Sequence, residues 1–174
     1  MDHPRPPPLL PLPLLWCTSY VHSKLTQRTG KMAALVAVET DGDDSPGSEH
    51  RGEVEALSKM LAMHAVAARP NYLNKESVDS SAVEREAAIL HEQAKASGKP
   101  ENVIEKMVQG RLNKFYQEVA LLEQPYVVGE DNSKVAKVVA IAAKGMGQKL
   151  QVTGLARYEC GEGISDEEVP AADD

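Results

Sequence analysis

The sequence predicts an α+β fold: a small antiparallel sheet packed with helices, from which an antiparallel helical hairpin protrudes. Three observations lead there. Short apolar segments of strand character lie near the two ends, at Lys31–Glu39 and from Leu150 onward. The segments between them carry apolar residues at helical spacing, and the two middle ones are separated only by Gly98-Lys99-Pro100. The order strand, helix, two helices, helix, strand suits helices laid on a small sheet.

The first fifteen residues hold six of the eleven prolines. They offer neither an Arg-rich amphipathic presequence helix nor an uninterrupted secretory apolar core. Residues 1–17 are therefore expected to be a disordered or artefactual leader. The folded part is expected from Thr18 to Ile164, and "SDEEVPAADD", with five acids and no base, is a solvated acidic tail over 165–174.

"KMAALVAVET" reads as a strand over Lys31–Glu39 and is followed by a turn-rich loop, "DGDDSPGSEHRG". Val54, Leu57, Leu61, Ala65 and Ala68 then mark a helix, stopped by Pro70. In the next segment Ser81-x-x-Glu84 has the form of a capping box, and Val83, Ala87, Leu90 and Ala94 form a narrow seam. Val108, Leu112, Phe115, Val119 and Leu122 form a matching seam beyond Pro100. Gly98 suits the left-handed position after one helix and Pro100 the first turn of the next, so a hairpin is expected at about 80–122. A last helix follows, with Asn132 or Ser133 as its N-cap and Gly145 as its C-cap. The strand from Leu150 and Val152 has a possible bulge at Gly154.

Composition narrows the function. The chain is 42% hydrophobic and 26% charged, with net charge -7, and no apolar stretch is long enough to cross a bilayer. Phosphate binding needs clustered cations, and base stacking needs more than one Trp, one Phe and five Tyr. Direct nucleic-acid binding and membrane insertion are thus not expected. Cys17 and Cys160 stand far apart without zinc spacing, which makes a reducing compartment the simpler reading.

No reaction centre assembles from the motifs. Gly98-Lys99 is followed by proline, which has neither the amide nor the hydroxyl that a phosphate-cradling loop requires. Asp41, Asp43 and Asp44 lack the later glutamate of a calcium loop, and Gly161-Glu162-Gly163 has too few glycines for a dinucleotide turn. His64 lies in the helix of Leu57 and Leu61 and reads first as a hydrogen-bonded, semi-buried residue. No catalytic residue, metal site or cofactor is expected.

Five segments in order, "TSYVH", "MAALVAVET", "LAMHAVAARPNYL", "SGKPENVIEKMVQGRLNKFYQEVALLEQPYVV" and "VTGLARYECGEG", resemble the second half of elongation factor Ts. The resemblance runs from about Thr18 to Ile164. It implies a C-terminal core subdomain with a protruding coiled coil, and a partner, elongation factor Tu, whose GDP release the family promotes without covalent chemistry. In the family this half grips the third domain of Tu, while an upstream helical domain and a T-D-F-V segment act on the nucleotide-binding domain. The chain contains no T-D-F-V: its only Thr-Asp, Thr40-Asp41, is followed by Gly42. The resemblance therefore implies an exchange factor, with a non-exchanging Tu-binding module as the alternative and an enzyme a distant third. It implies Tu-facing positions at Tyr20 and His22, at Leu61, Met63 and His64 of "LAMH", and at Arg157. The ending "RYECGEG" is similar to organellar members, which points to the mitochondrion first and the chloroplast second. Surface left uncovered by an absent half would favour self-association.

Overall fold

In a computed structural model of the protein, residues 14–26, 29–41, 50–96, 100–129 and 132–163 are described. Three strands, β1 (Leu14–Lys24), β2 (Gly30–Thr40) and β3 (Leu150–Glu159), form one antiparallel sheet in the order β1-β2-β3. Four helices lie between β2 and β3 in sequence: α1 (Arg51–Ala68), α2 (Ser80–Lys95), α3 (Glu101–Val119) and α4 (Val135–Met146). The α+β expectation holds, with one strand more than the sequence reading supplied.

That strand is β1. It pairs with β2 from Leu14 opposite Thr40 onward, so regular structure begins ahead of Thr18. Its pattern is weak because its inward residues are mixed: Trp16, Thr18, Tyr20 and His22 share a face in strict alternation. Residues 1–13, 42–49 and 164–174, on which the expected leader, turn-rich loop and acidic tail fall, lie outside the described residues.

β2 is central and supplies the core. Ala34, Val36 and Val38 are buried on one face against Leu57, Leu61, Ala62, Ala65 and Val66 of α1 and Val135 and Val139 of α4. Fully burying each large aliphatic chain stabilises the fold by roughly 1.5–3 kcal/mol. The expected bulge is present: Ala37 pairs with Gly154 and Val38 with Val152, leaving Thr153 without an opposite residue. Glycine is required there by space, because a Cβ on Gly154 would come within 3.0 Å of the Ala37 Cβ.

Helix ends show where local signals compete. α1 stops where Arg69 takes a left-handed conformation and donates its N–H to the Ala65 carbonyl, and the buried Pro70 follows. α2 is capped by Asp79, whose carboxylate accepts the Ser81 N–H at 3.2 Å, in place of the expected Ser81–Glu84 box. A reciprocal box does occur, one short 3-10 turn earlier, between Asn74 and Ser77. α4 starts after Lys134, not Asn132 or Ser133, and ends at Gly147, not Gly145. Gly147, at φ 64°, is the residue that can take the left-handed turn at no steric cost.

α2 and α3 make their main contact with one another. Leu90 and Ala94 are buried on α2, and Val83 and Ala87 are half-buried. On α3 Val108, Leu112, Phe115 and Val119 are half-buried, and Ile104, absent from the expected seam, is buried. Leu122 belongs instead to a 3-10 turn, Leu121–Glu123, where it packs on the core. Gly98 lies outside the described residues. Where α3 ends, Tyr72 donates its N–H to the Val119 carbonyl at 3.0 Å and accepts from Leu121 at 2.9 Å, fixing that end to the chain after α1.

Candidate partner-docking site

Beyond the core, the helix face of the sheet continues under the last turns of α1. Two cross-strand rows lie there, Tyr20–Ala34–Arg157 and His22–Met32–Glu159. Above them α1 places Met63, Val66 and Ala67 at i, i+3 and i+4, the spacing that puts side chains on one helix face. Tyr20, His22 and Met32 of these rows, with Met63, Val66, Ala67 and Arg69, line a groove of about 340 Å³. Its floor is apolar and its rim polar.

The rim is organised by two interactions. The Tyr20 hydroxyl and His22 Nδ1 are 3.3 Å apart, with the rings' centroids at 6.1 Å. On the other side Glu159 is held by two guanidiniums: Arg69 donates to Oε1 at 3.1 Å and Arg157 to Oε2 at 3.0 Å. Arg157 also donates to Glu162 at 2.6 Å, so it ties the strand end to the Gly161–Gly163 turn. Charge on this rim is paired within the fold.

Of the expected partner-facing residues, the groove brings together Tyr20, His22 and Met63. Arg157 reaches it only through Glu159, with a side chain just 9% exposed. Leu61 and His64 have no accessible surface. Leu61 lies in the core, and His64 forms a buried polar junction instead.

That junction has a fixed chemistry. The Gln124 side-chain NH2 donates to the Ala68 carbonyl at 3.1 Å and the Glu118 carbonyl at 2.8 Å. Its Oε1 therefore faces His64 Nε2, 3.1 Å away, and must accept from it. His64 Nδ1 accepts the Val127 N–H at 3.3 Å. Both ring nitrogens are satisfied in the neutral Nε2–H form. Burial holds the His64 pKa below its ordinary value, partly opposed by the hydrogen bond to Gln124.

Sequence reasoning did not supply Met32, Val66, Arg69 or Glu159. Nothing local marks them, since their role comes from the register of β2 with β3 and from where α1 stops. Among the described residues no set of three His, Cys, Asp or Glu side chains is placed to hold a metal, and no described helix is long and apolar enough to cross a membrane. The arrangement can take up an apolar side chain and hydrogen-bond its surroundings. This is the chemistry of protein docking.

An α+β unit whose helix side carries an apolar groove with a polar rim is the class that the fold and site define. Residues 15–162 match the family model described as elongation factor TS. The chain is 47% identical over 151 residues to elongation factor Ts of Magnetococcus marinus, covering 87% of this chain and 46% of that protein. It is 43% identical over 151 residues to elongation factor Ts of Rhodospirillum rubrum, with the same coverage. With elongation factor Ts of Bartonella quintana the identity is 44% over 150 residues, 86% of this chain and 46% of the relative. The chain belongs to the elongation factor Ts family. It spans about half the length of the curated relatives it matches.

Proposed function

We propose that this chain binds elongation factor Tu through the groove of Tyr20, His22 and Met63 and promotes release of GDP from it. The observation that carries the reading is the convergence of these three residues on one groove, in a chain that belongs to the elongation factor Ts family. Exchange of this kind needs no bond to be made or broken. A protein that binds nucleotide-free Tu more tightly than the GDP form loosens GDP by linkage, to the same factor by which GDP loosens it. In this reading α2 and α3 form an antiparallel coiled coil that stands out from the sheet and adds a second contact. The site of action is the mitochondrion, with the chloroplast as the second choice, on the similarity of the "RYECGEG" ending to organellar members.

A non-exchanging Tu-binding module is the second reading. It requires only the contact through the groove of Tyr20, His22 and Met63, which the first reading also uses. One experiment separates the two: release of a fluorescent GDP analogue from organellar elongation factor Tu, with and without this chain, beside a direct binding titration. Faster release supports exchange, and binding with unchanged release supports the module. No binding overturns both.

A further inference from the structure

The sheet has two edge strands, and they differ. β3 is blunted against further pairing: its register shifts at the Gly154 bulge, and it carries the charges of Arg157 and Glu159. β1 has neither protection. It pairs with β2 in unbroken register from Leu14 to His22, and its sequence, LLWCTSYVHSK, holds no Asp, Glu, Arg or Lys before Lys24. Its other side has no neighbour in the sheet, so every second residue turns its N–H and C=O outward. Among the described residues, no backbone group beyond the sheet bonds to them.

α1 runs beside this edge in the same direction as β1. Arg51, at its start, lies over the Trp16 ring at 5.1 Å, while Met63 and Val66, further on, share the docking groove with Tyr20 and His22. Between the edge and the first turns of the helix lies a second groove, of about 410 Å³, lined by residues 16–19 of β1 and by Arg51, Glu55 and Lys59. An open strand edge can take up an extended peptide, whose backbone pairs with the edge while alternate side chains enter flanking pockets. We propose that this groove binds an extended segment of another protein as a fourth strand, with acidic, basic and acidic side chains at alternate positions facing α1.

Spacing sets the charge pattern. Arg51, Glu55 and Lys59 are exposed and stand four positions apart on α1, a step of about 6 Å at the helical rise. Alternate residues of a strand are about 6.7 Å apart. Three successive inward side chains of an added strand therefore meet the three helix positions in turn: an acid by Arg51, a base by Glu55 and an acid by Lys59. Neither Glu55 nor Lys59 forms an ion pair with another described residue. The Trp16 ring positions the Arg51 guanidinium by a cation–π contact. The pattern reads the same in both directions, so it suits a parallel or an antiparallel strand. A second copy pairing edge to edge would offer β1, which has no acid and so lacks the pattern.

The test uses the whole chain and fluorescent nonapeptides of threonine and valine, titrated by anisotropy. One peptide carries glutamate, lysine and glutamate at alternate central positions, and a second carries the three charges reversed. The first should bind, and the second should bind about tenfold more weakly or less. Glu55→Lys, at an exposed position, should weaken the first peptide, and a peptide with glutamate at the central position should restore binding. N-methylation of one alternate set of peptide amides should abolish binding, and methylation of the other set should leave it. With peptide bound, alternate amides of β1 should exchange with deuterium more slowly. Binding that ignores Glu55→Lys or tolerates both methylation patterns overturns the proposal, as does failure of every peptide to bind. Slow exchange of those amides without peptide also overturns it. The edge would then belong to a second copy if protection rises with protein concentration, and to another segment of the same chain if it does not.

Discussion

His64 and Gln124, sixty positions apart, are joined by a buried hydrogen bond of 3.1 Å that locks α1 to the segment following α3. Gln124 satisfies three groups with one side chain: the His64 Nε2–H and the carbonyls of Ala68 and Glu118. Gln124→Ala leaves the buried His64 Nε2–H without its acceptor and removes the donor from the Ala68 and Glu118 carbonyls in part-buried surroundings. A buried polar group left unpaired costs about 1–3 kcal/mol, so a loss of roughly 2–4 kcal/mol is expected in urea unfolding. A loss under about 0.5 kcal/mol would mean that the junction is not a structural element.

The same junction gives a pH dependence of defined sign. The His64 pKa is lowered in the folded chain from its ordinary 6.5, chiefly by burial. Below 6.5 the unfolded chain therefore binds a proton that the folded chain does not. Stability is full above that value and falls as the pH drops through the window beneath it, with a slope of up to about 1.4 kcal/mol per pH unit. Urea midpoints compared above and below that pH should show this fall in the native sequence. In His64→Gln the histidine component should disappear, although the variant is less stable throughout.

Tyr126 is the counter-example beside it. Its ring lies 5.6 Å from that of His64, yet its buried hydroxyl has no hydrogen-bond partner among the described residues. Burial also raises its pKa, which keeps the phenol neutral. Tyr126→Phe removes a desolvated polar atom and leaves the ring in place. Stability should be unchanged or rise by up to about 1 kcal/mol. A loss of similar size would reveal a partner for the hydroxyl.

These residues also mark the limit of what the sequence makes legible. α1, β2 and the bulge at Gly154 were readable because one periodic pattern or one glycine reports each of them locally. β1 was not, because its inward residues include Thr18 and His22, and its first residues adjoin a proline tract. Asp79 outcompeted Ser81 as a cap, a choice between neighbouring side chains that spacing alone leaves open. The groove was legible in its strand half, Tyr20 and His22, while Arg69 and Glu159 meet across ninety positions. Of "LAMH", the helical phase of α1 turns Met63 to the groove and leaves Leu61 and His64 inside.

That phase yields a paired prediction. His22 is exposed on the groove rim, so His22→Ala should leave the melting temperature within a degree or two and, if the groove is the docking surface, lower affinity for elongation factor Tu by about tenfold. Leu61→Ala should do the reverse. It opens a cavity in the core and should cost about 2–5 kcal/mol of stability, with affinity unchanged for the fraction that remains folded. Calorimetry and a binding titration on the two variants check both halves. Equal binding by His22→Ala and the native chain would move the docking surface elsewhere.

The α2–α3 pair should be the first part of the helical structure to open. Its fully buried apolar residues are Leu90 and Ala94 on one helix and Ile104 on the other, whereas α1 alone buries Val54, Leu57, Leu61, Ala62, Ala65 and Val66. The polar links across the pair, Arg111 to Gln93 at 2.9 Å and His91 to Glu101 at 3.3 Å, are solvent-accessible and add little. Local opening free energy follows buried apolar contact, so amides of α2 and α3 should exchange with deuterium well before those of α1. Ile104→Ala should speed exchange in both α2 and α3, because each helix covers the other, and should leave α1 and β2 nearly unchanged. If α1 were to accelerate equally, the pair and the sheet core would be one cooperative unit, held together through the Tyr72–Val119 and Tyr72–Leu121 hydrogen bonds where α3 ends.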